Sequence, residues 1–122
     1  MKVLVAEDDP DQLSIRSMLL ERNGFETIGA ADDVSAAELA ASRKPECAVI
    51  DLHLPTEERG LWLICELKRL NPAIHILVIT GGKPESLARQ TAATLVEEIV
   101  VKGESSGSLM RKLKSLAARA CA

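Results

Sequence analysis

The sequence predicts an α/β protein, a single domain over residues 1–122 built as a parallel sheet with helices on both faces. Three observations carry that expectation. Five short strand-like segments recur along the chain, and the first of them, Val3 to Ala6, is wholly apolar without a polar face, as a strand buried on both sides is. Segments with apolar residues at helical spacing separate them. Four of the runs end at a polar residue: Glu7, Asp51, Thr80 and Lys102.

The first run, Val3 to Ala6, is wholly apolar and reads as a buried strand. Pro10 follows where the first turn of a helix tolerates proline, because the missing N–H has no intrahelical partner there. Ile15, Met18 and Leu19 line one face of that helix, and Asn23-Gly24 supplies a left-handed C-terminal cap. Phe25 to Ala30 forms the second strand. An alanine-rich helix runs from Val34 to Ser42 and stops before Pro45, since proline disfavours helical geometry in the residue preceding it. Cys47 to Ile50 is the third strand and leads straight into Asp51.

A helix from Gly60 to Leu70 turns Leu61, Ile64, Leu67 and Leu70 inward and closes at Asn71-Pro72. Ile74 to Ile79 is the fourth strand, ending at Thr80-Gly81-Gly82. Pro84 to about Leu95 makes a weakly amphipathic helix, and Ile99 to Val101 is the fifth strand. Ser105 or Ser106 caps a last helix that repeats Leu109, Leu113, Leu116 and Ala120 at helical spacing.

With 47% hydrophobic and 27% charged residues, the chain has the make-up of a globular domain with a core. A net charge of -3 gives no general attraction to nucleic acid or to an anionic membrane, so neither is an expected partner. Arg111, Lys112 and Lys114 cluster near the C-terminus, either as a docking patch or as cations tolerated by the helix dipole. Cys47, Cys65 and Cys121 have no metal-like spacing and leave an odd thiol, which suits a reducing compartment. Cys47 and Cys65 read as packing residues. The apolar run after Met1-Lys2 stops at Glu7, so it is no signal peptide. No stretch approaches the roughly 20 apolar residues of a membrane span. A cytoplasmic location is the expectation.

Ligands of an open parallel sheet bind beyond the carboxyl ends of its strands. There the first strand delivers Glu7, Asp8 and Asp9, the third Asp51, the fourth Thr80 and the fifth Lys102. Glu7, Asp8 and Asp51 crowded together repel one another, and one of them is expected to protonate. A hard divalent cation removes the conflict; Mg²⁺ takes one or two carboxylates, waters and phosphate oxygens. A carboxylate nucleophile, a hydroxyl donor and a lysine then complete a phosphoryl-transfer site.

Glu7-Asp8-Asp9, the segment from Asp51 to Pro55, Thr80-Gly81-Gly82 and Lys102 together resemble the response-regulator receiver family, over essentially the whole chain. The resemblance implies a flavodoxin-like, doubly wound (βα)5 fold with a five-stranded parallel sheet in the order 2-1-3-4-5. It implies Asp51 as phosphoacceptor and Asp8 as a direct Mg²⁺ ligand. Glu7 would hold the metal mainly through water, and the backbone carbonyl of His53 would add a ligand. Thr80 would bind a phosphoryl oxygen after the switch, and Lys102 would bridge to the phosphoryl group. The partners implied are a histidine kinase or a histidine phosphotransfer protein, in two-component or phosphorelay signalling.

Neighbouring residues take plainer roles. Asp9 caps or starts the first helix, with an extra metal contact as the alternative; the His53 side chain is a gate over the site, with a ligand or general acid as the alternative; and Pro55 sets the turn after the metal loop. Trp62 falls off the inward stripe, on a face with Cys65 and Arg69; it either anchors a partner or lies flat over its own helix. Gly81 and Gly82 leave the position beside Asp51 uncovered.

Three departures from the family pattern stand out. Ile99 occupies the place of the aromatic switch residue. Gly103 replaces a cis-bonded proline, and without proline a cis bond costs about 2.5–4 kcal/mol. Thr56 to Arg59 lengthens the segment after Asp51 into a charged lid.

The expected function is a stand-alone receiver that catalyses only its own phosphorylation and dephosphorylation, with no enzymatic action on other substrates. Beyond Lys102 the chain has room for the last helix alone, so output passes through an unidentified downstream protein. A monomer or weak homodimer is expected. The competing reading is a receiver-fold interaction module that works without phosphorylation. Ile99 and Gly103 favour it; the intact Glu7, Asp8, Asp51, Thr80 and Lys102 oppose it. A phosphatase-like hydrolase would need a second acid two residues after Asp51, where His53 stands.

Overall fold

In the computed structural model the described residues are 1–54, 56–80, 96, 98–101, 110–115 and 118. The elements run β1 (Lys2–Ala6), α1 (Pro10–Arg22), β2 (Glu26–Ala30), α2 (Asp33–Arg43), β3 (Cys47–Asp51), α3 (Glu57–Leu70), β4 (His75–Thr80) and β5 (Glu98–Val101). Residues 110–115 are helical. All strand pairs are parallel, in the order β2-β1-β3-β4-β5. The chain reverses its direction of winding between β1 and β3, and a ligand crevice belongs at that point, beyond the carboxyl ends.

Residues alternate between the two faces of the sheet, as the period of a strand requires. Leu4, Ala6, Ala48, Ile50, Ile76 and Val78 pack with Ala36 and Ala40 of α2 and Leu63, Ile64 and Leu67 of α3. Val3, Val5, Cys47, Val49, Leu77 and Ile79 face the other way, toward Leu20 of α1 and Met110 and Leu113 near the C-terminus. Burying each such leucine or isoleucine contributes about 1.5–3 kcal/mol. β1 and β3 are buried throughout apart from Lys2, which explains their wholly apolar runs.

The helix ends follow local chemistry. Asp9 caps α1 by accepting from the Asp11 and Gln12 N–H groups, as expected. Gly24, at φ +88°, takes the left-handed position after α1, and the N–H of Phe25 returns to the Leu20 carbonyl. Phe25 therefore belongs to the cap, and β2 begins one residue later. Asp32 caps α2, and Lys44, just before Pro45, ends it in the left-handed region.

Two expected helix faces need correction. In α1, Ile15 and Met18 are 49% and 47% exposed, and only Leu19 of the three packs on the core. The inward stripe is Leu13, Arg16 and Leu20. An arginine in that stripe hid it from a purely apolar pattern.

In α3 the helix starts at Glu57, with the Thr56 hydroxyl accepting from the Arg59 N–H at 3.2 Å. Thr56 to Arg59 is thus the cap and first turn of α3, not a separate lid. The buried residues are Gly60, Leu63, Ile64 and Leu67, while Leu61 is half-buried and Leu70 is exposed. The buried face includes Gly60, which has no side chain and packs against the backbone of Leu52 just beyond β3.

The expected helix from Pro84, together with Pro55, Gly81, Gly82, Lys102, Gly103 and the Ser105/Ser106 cap, lies outside the described residues. No helix among the described residues is long and apolar enough to cross a membrane. Of the C-terminal cations, Lys112 reaches back to the Ile99 carbonyl at 3.2 Å, and Arg111 and Lys114 are exposed.

Candidate functional site

The site forms where β1 and β3 end side by side. Glu7 directly follows β1, and its N–H still donates to the Ala30 carbonyl at 3.0 Å, so the residue stays in register with the sheet. Its side chain is therefore carried to the end of the sheet interior; Glu7 is 2% exposed. Asp8 comes next and is exposed. Asp51 is the last residue of β3 and is 1% exposed. Carboxylate oxygens of Glu7, Asp8 and Asp51 all lie within 4.8 Å of one another.

Hydrogen bonds hold this acid cluster from several sides. The His53 N–H donates to Asp51 Oδ1 at 3.0 Å, and the Leu52 N–H donates to the Ile79 carbonyl at 2.9 Å. The segment after β3 thus turns back over Asp51 while anchored to β4. The Asp9 N–H donates to Glu7 Oε1 at 3.1 Å, and Arg16 of α1 forms an ion pair with Glu7 Oε2. Thr80 closes β4, 2% exposed, one strand over from Asp51 and paired with Val101.

The electrostatics are those of too many acids in too little water. Burial pushes the Glu7 carboxyl up to about 7, and its hydrogen bond and charge repulsion with Asp51 push the same way. The Asp9 N–H and the Arg16 guanidinium pull it down, and they lose. This is the protonation expected of one member of the crowd. All donors in the cluster are carboxylate oxygens, the ligand type preferred by Mg²⁺, and a divalent charge would remove the repulsion.

Of the sequence-predicted residues, the structure brings together Glu7, Asp8 and Asp51, and places Thr80 at the neighbouring strand end. His53 contributes its N–H to Asp51, and its side chain is exposed. Ile99 lies on β5 opposite Val78, half-buried and packed against the core, so an aliphatic group fills the place of a switch ring. Lys102 and Gly81 lie outside the described residues. Trp62 is 37% exposed with the Arg59 guanidinium over its ring, 4.4 Å from the centroid.

Three contributors escaped the sequence reading. Arg16 was hidden as a cation on an inward stripe; the Leu13–Arg16–Leu20 spacing was its signal. Arg59 pairs with buried Asp33 at the start of α2, which ties α3 to α2. Gly60 lies against the backbone of Leu52.

A parallel sheet in this order, with an acid trio at its switch point, is a flavodoxin-like doubly wound domain with a candidate cation site. The chain matches the response regulator receiver domain family over residues 3–114 and belongs to it. It is thus a response-regulator receiver domain of two-component signalling. Among curated relatives, BvgA of Bordetella pertussis, named as a positive transcription regulator of virulence factors, is 30% identical over 96% of this chain. The chain spans 56% of BvgA's own length.

Two solved structures share the fold. A CheY-like receiver domain from Methylobacillus flagellatus has a TM-score of 0.81 at 25% identity, covering 94% of this chain and 97% of that one. The response regulator TrrA from Thermotoga maritima, solved in complex with Mg²⁺-BeF, has a TM-score of 0.83 at 21% identity, with the same coverages.

Proposed function

We propose that this chain is a phosphoacceptor: Asp51 takes a phosphoryl group from a phosphohistidine on a histidine kinase or histidine phosphotransfer protein, with Mg²⁺ as cofactor. The observation that carries the reading is the convergence of Glu7, Asp8 and Asp51 at the carboxyl ends of β1 and β3. The fold match to a receiver solved with Mg²⁺-BeF supports it.

Asp8 and Asp51 would hold the metal directly, Glu7 mainly through water, and the His53 carbonyl would add a ligand. When bound, Mg²⁺ neutralises charge on the carboxylates and on the phosphoryl oxygens. In the transfer, an Asp51 carboxylate oxygen bonds to phosphorus as the N–P bond of the phosphohistidine breaks, and the electron pair returns to the imidazole. The His53 N–H on Oδ1 orients the carboxylate for that attack. Thr80 offers a hydroxyl to a phosphoryl oxygen, and Lys102 supplies the cation. Hydrolysis of the acyl phosphate at the same site returns Asp51 to its starting state.

Phosphorylation adds roughly -1.5 to -2 charges. We place the output in protein–protein contact. The likeness to BvgA, named as a transcription regulator, supports a transcriptional end-point for that contact. Because Ile99 is aliphatic, the change centres on Thr80 and the segment after it.

Incubation with Mg²⁺ and acetyl phosphate, followed by intact mass measurement, tests the reading. The expected result is one added phosphoryl group that Asp51→Asn abolishes. Absence of labelling, even with a cognate kinase, would replace it with the phosphorylation-independent interaction module.

A further inference from the structure

Both oxygens of the Glu7 carboxylate have partners within the protein. Oε1 accepts from the Asp9 N–H at 3.1 Å, and Oε2 is paired with the Arg16 guanidinium. Arg16 is itself buried, and arginine stays protonated under all ordinary conditions. Its position is set by the helix: Asp9 caps α1, the Leu13 N–H donates to the Asp9 carbonyl at 2.9 Å, and Leu13 and Leu20 pack on the sheet on either side of it. The junction that presents Asp8 to a cation therefore also delivers a fixed positive charge onto Glu7.

We propose that Arg16 is a positioning residue of the metal site: it stands as a resident counter-cation to Glu7, holds that carboxylate against α1, and lowers the affinity of the Glu7–Asp8–Asp51 cluster for a divalent ion. The inference rests on the reading of those three acids as magnesium ligands. A fixed cation beside the site repels an incoming divalent ion. It also occupies one of the two Glu7 carboxylate oxygens, Oε2. Both effects act against metal uptake, and burial limits their screening by salt. An ion pair with a structural role alone would alter unfolding and leave metal affinity as it was.

Calorimetric titration with magnesium chloride on the full chain, at one constant pH of about 9 where the Glu7 carboxyl is ionised, tests this with Arg16→Met, Arg16→Gln and Arg16→Lys. Arg16→Met is expected to bind Mg²⁺ roughly threefold to tenfold tighter than wild type. Arg16→Gln, which keeps hydrogen-bonding capacity, carries the test if the methionine variant fails to fold and is expected to move the same way. Arg16→Lys restores the charge and is expected to stay within about twofold of wild type. Unchanged or weaker affinity in the neutral variants, with wild type binding normally, overturns the role of Arg16 alone. Binding by Arg16→Met where wild type shows none supports it. Absence of binding in every chain overturns the metal reading and this inference with it.

Discussion

Gly60 lies so close to Leu52 that a Cβ built on it would stand 1.8 Å from the Leu52 carbonyl oxygen and 2.7 Å from its carbonyl carbon. Leu52 is the residue between Asp51 and His53, so the first turn of α3 presses on the backbone of the acceptor loop. Neither partner can yield cheaply, since one is a helix and the other is hydrogen-bonded to β4 through the Leu52 N–H. Gly60→Ala is expected to cost about 1–3 kcal/mol or more through overpacking. Gly29 is the control, because its added Cβ would meet Leu13 side-chain atoms at an ordinary 3.5 Å. Gly29→Ala should stay within about 0.5 kcal/mol of wild type. Urea denaturation of both variants, followed by circular dichroism, decides the point.

Glu7 makes metal-free stability depend on pH. Its carboxyl titrates near 4.5 in an unfolded chain and at about 7 in the folded one, mainly because it is buried. Between those values the folded state binds the extra proton, so stability falls as pH rises. The contribution is complete below about 4.5 and is lost as pH climbs through about 7, a span of about 3 kcal/mol. Thermal unfolding in EDTA should therefore show a lower midpoint at about pH 8 than at about pH 5.5, with Mg²⁺ restoring the difference. A flat profile would count against the buried acid pair.

Asp51→Asn removes one charge from the trio while keeping the shape of the side chain. Repulsion with Glu7 falls, so the metal-free protein is expected to gain about 1 kcal/mol at neutral pH. The stabilisation by added Mg²⁺ should shrink at the same time. Paired melting curves with and without the metal measure both effects.

Glu7→Ala leaves the Arg16 guanidinium buried without its carboxylate. Breaking a buried pair from one side costs about 3–5 kcal/mol. Glu7→Ala combined with Arg16→Met should recover much of that loss, a double-mutant result readable by denaturant titration.

Arg59 joins buried Asp33 to the exposed ring of Trp62. Because the arginine is itself about half exposed, its ion pair and ring contact together are worth only about 1 kcal/mol. Arg59→Ala should cost that much and shift the emission of Trp62, the single tryptophan, toward that of a more solvated ring.

The β-strands were legible because each is written in adjacent residues. A parallel strand buried on both faces needs an apolar run, and Val3 to Ala6 and Cys47 to Ile50 have no other good reading. The caps at Asp9 and Gly24 were legible for the same reason: one needs a short acceptor side chain, the other a residue at ease at positive φ. The acids were legible by their place at the ends of those runs. Helix faces were less so. Apolar spacing allowed Ile15 and Met18 to point inward, and nothing in α1 itself shows that Arg16 has a carboxylate waiting at Glu7.

By itself, then, the sequence determined the order of strands and helices among the described residues, the caps at Asp9 and Gly24 and the identity of the acid trio, all of which depend on neighbours along the chain. Tertiary structure alone decided the rotation of α1 and α3, the pairing of Arg16 with Glu7 and of Arg59 with Asp33, and the pressure of Gly60 on the loop after Asp51. Asp33 and Arg59 are 26 residues apart in the chain, and Arg16 and Glu7 are nine apart, one within α1 and the other just beyond β1. Such contacts form only when the sheet brings the elements together, because a buried charge or a close backbone approach is stabilised by what stands opposite it in space.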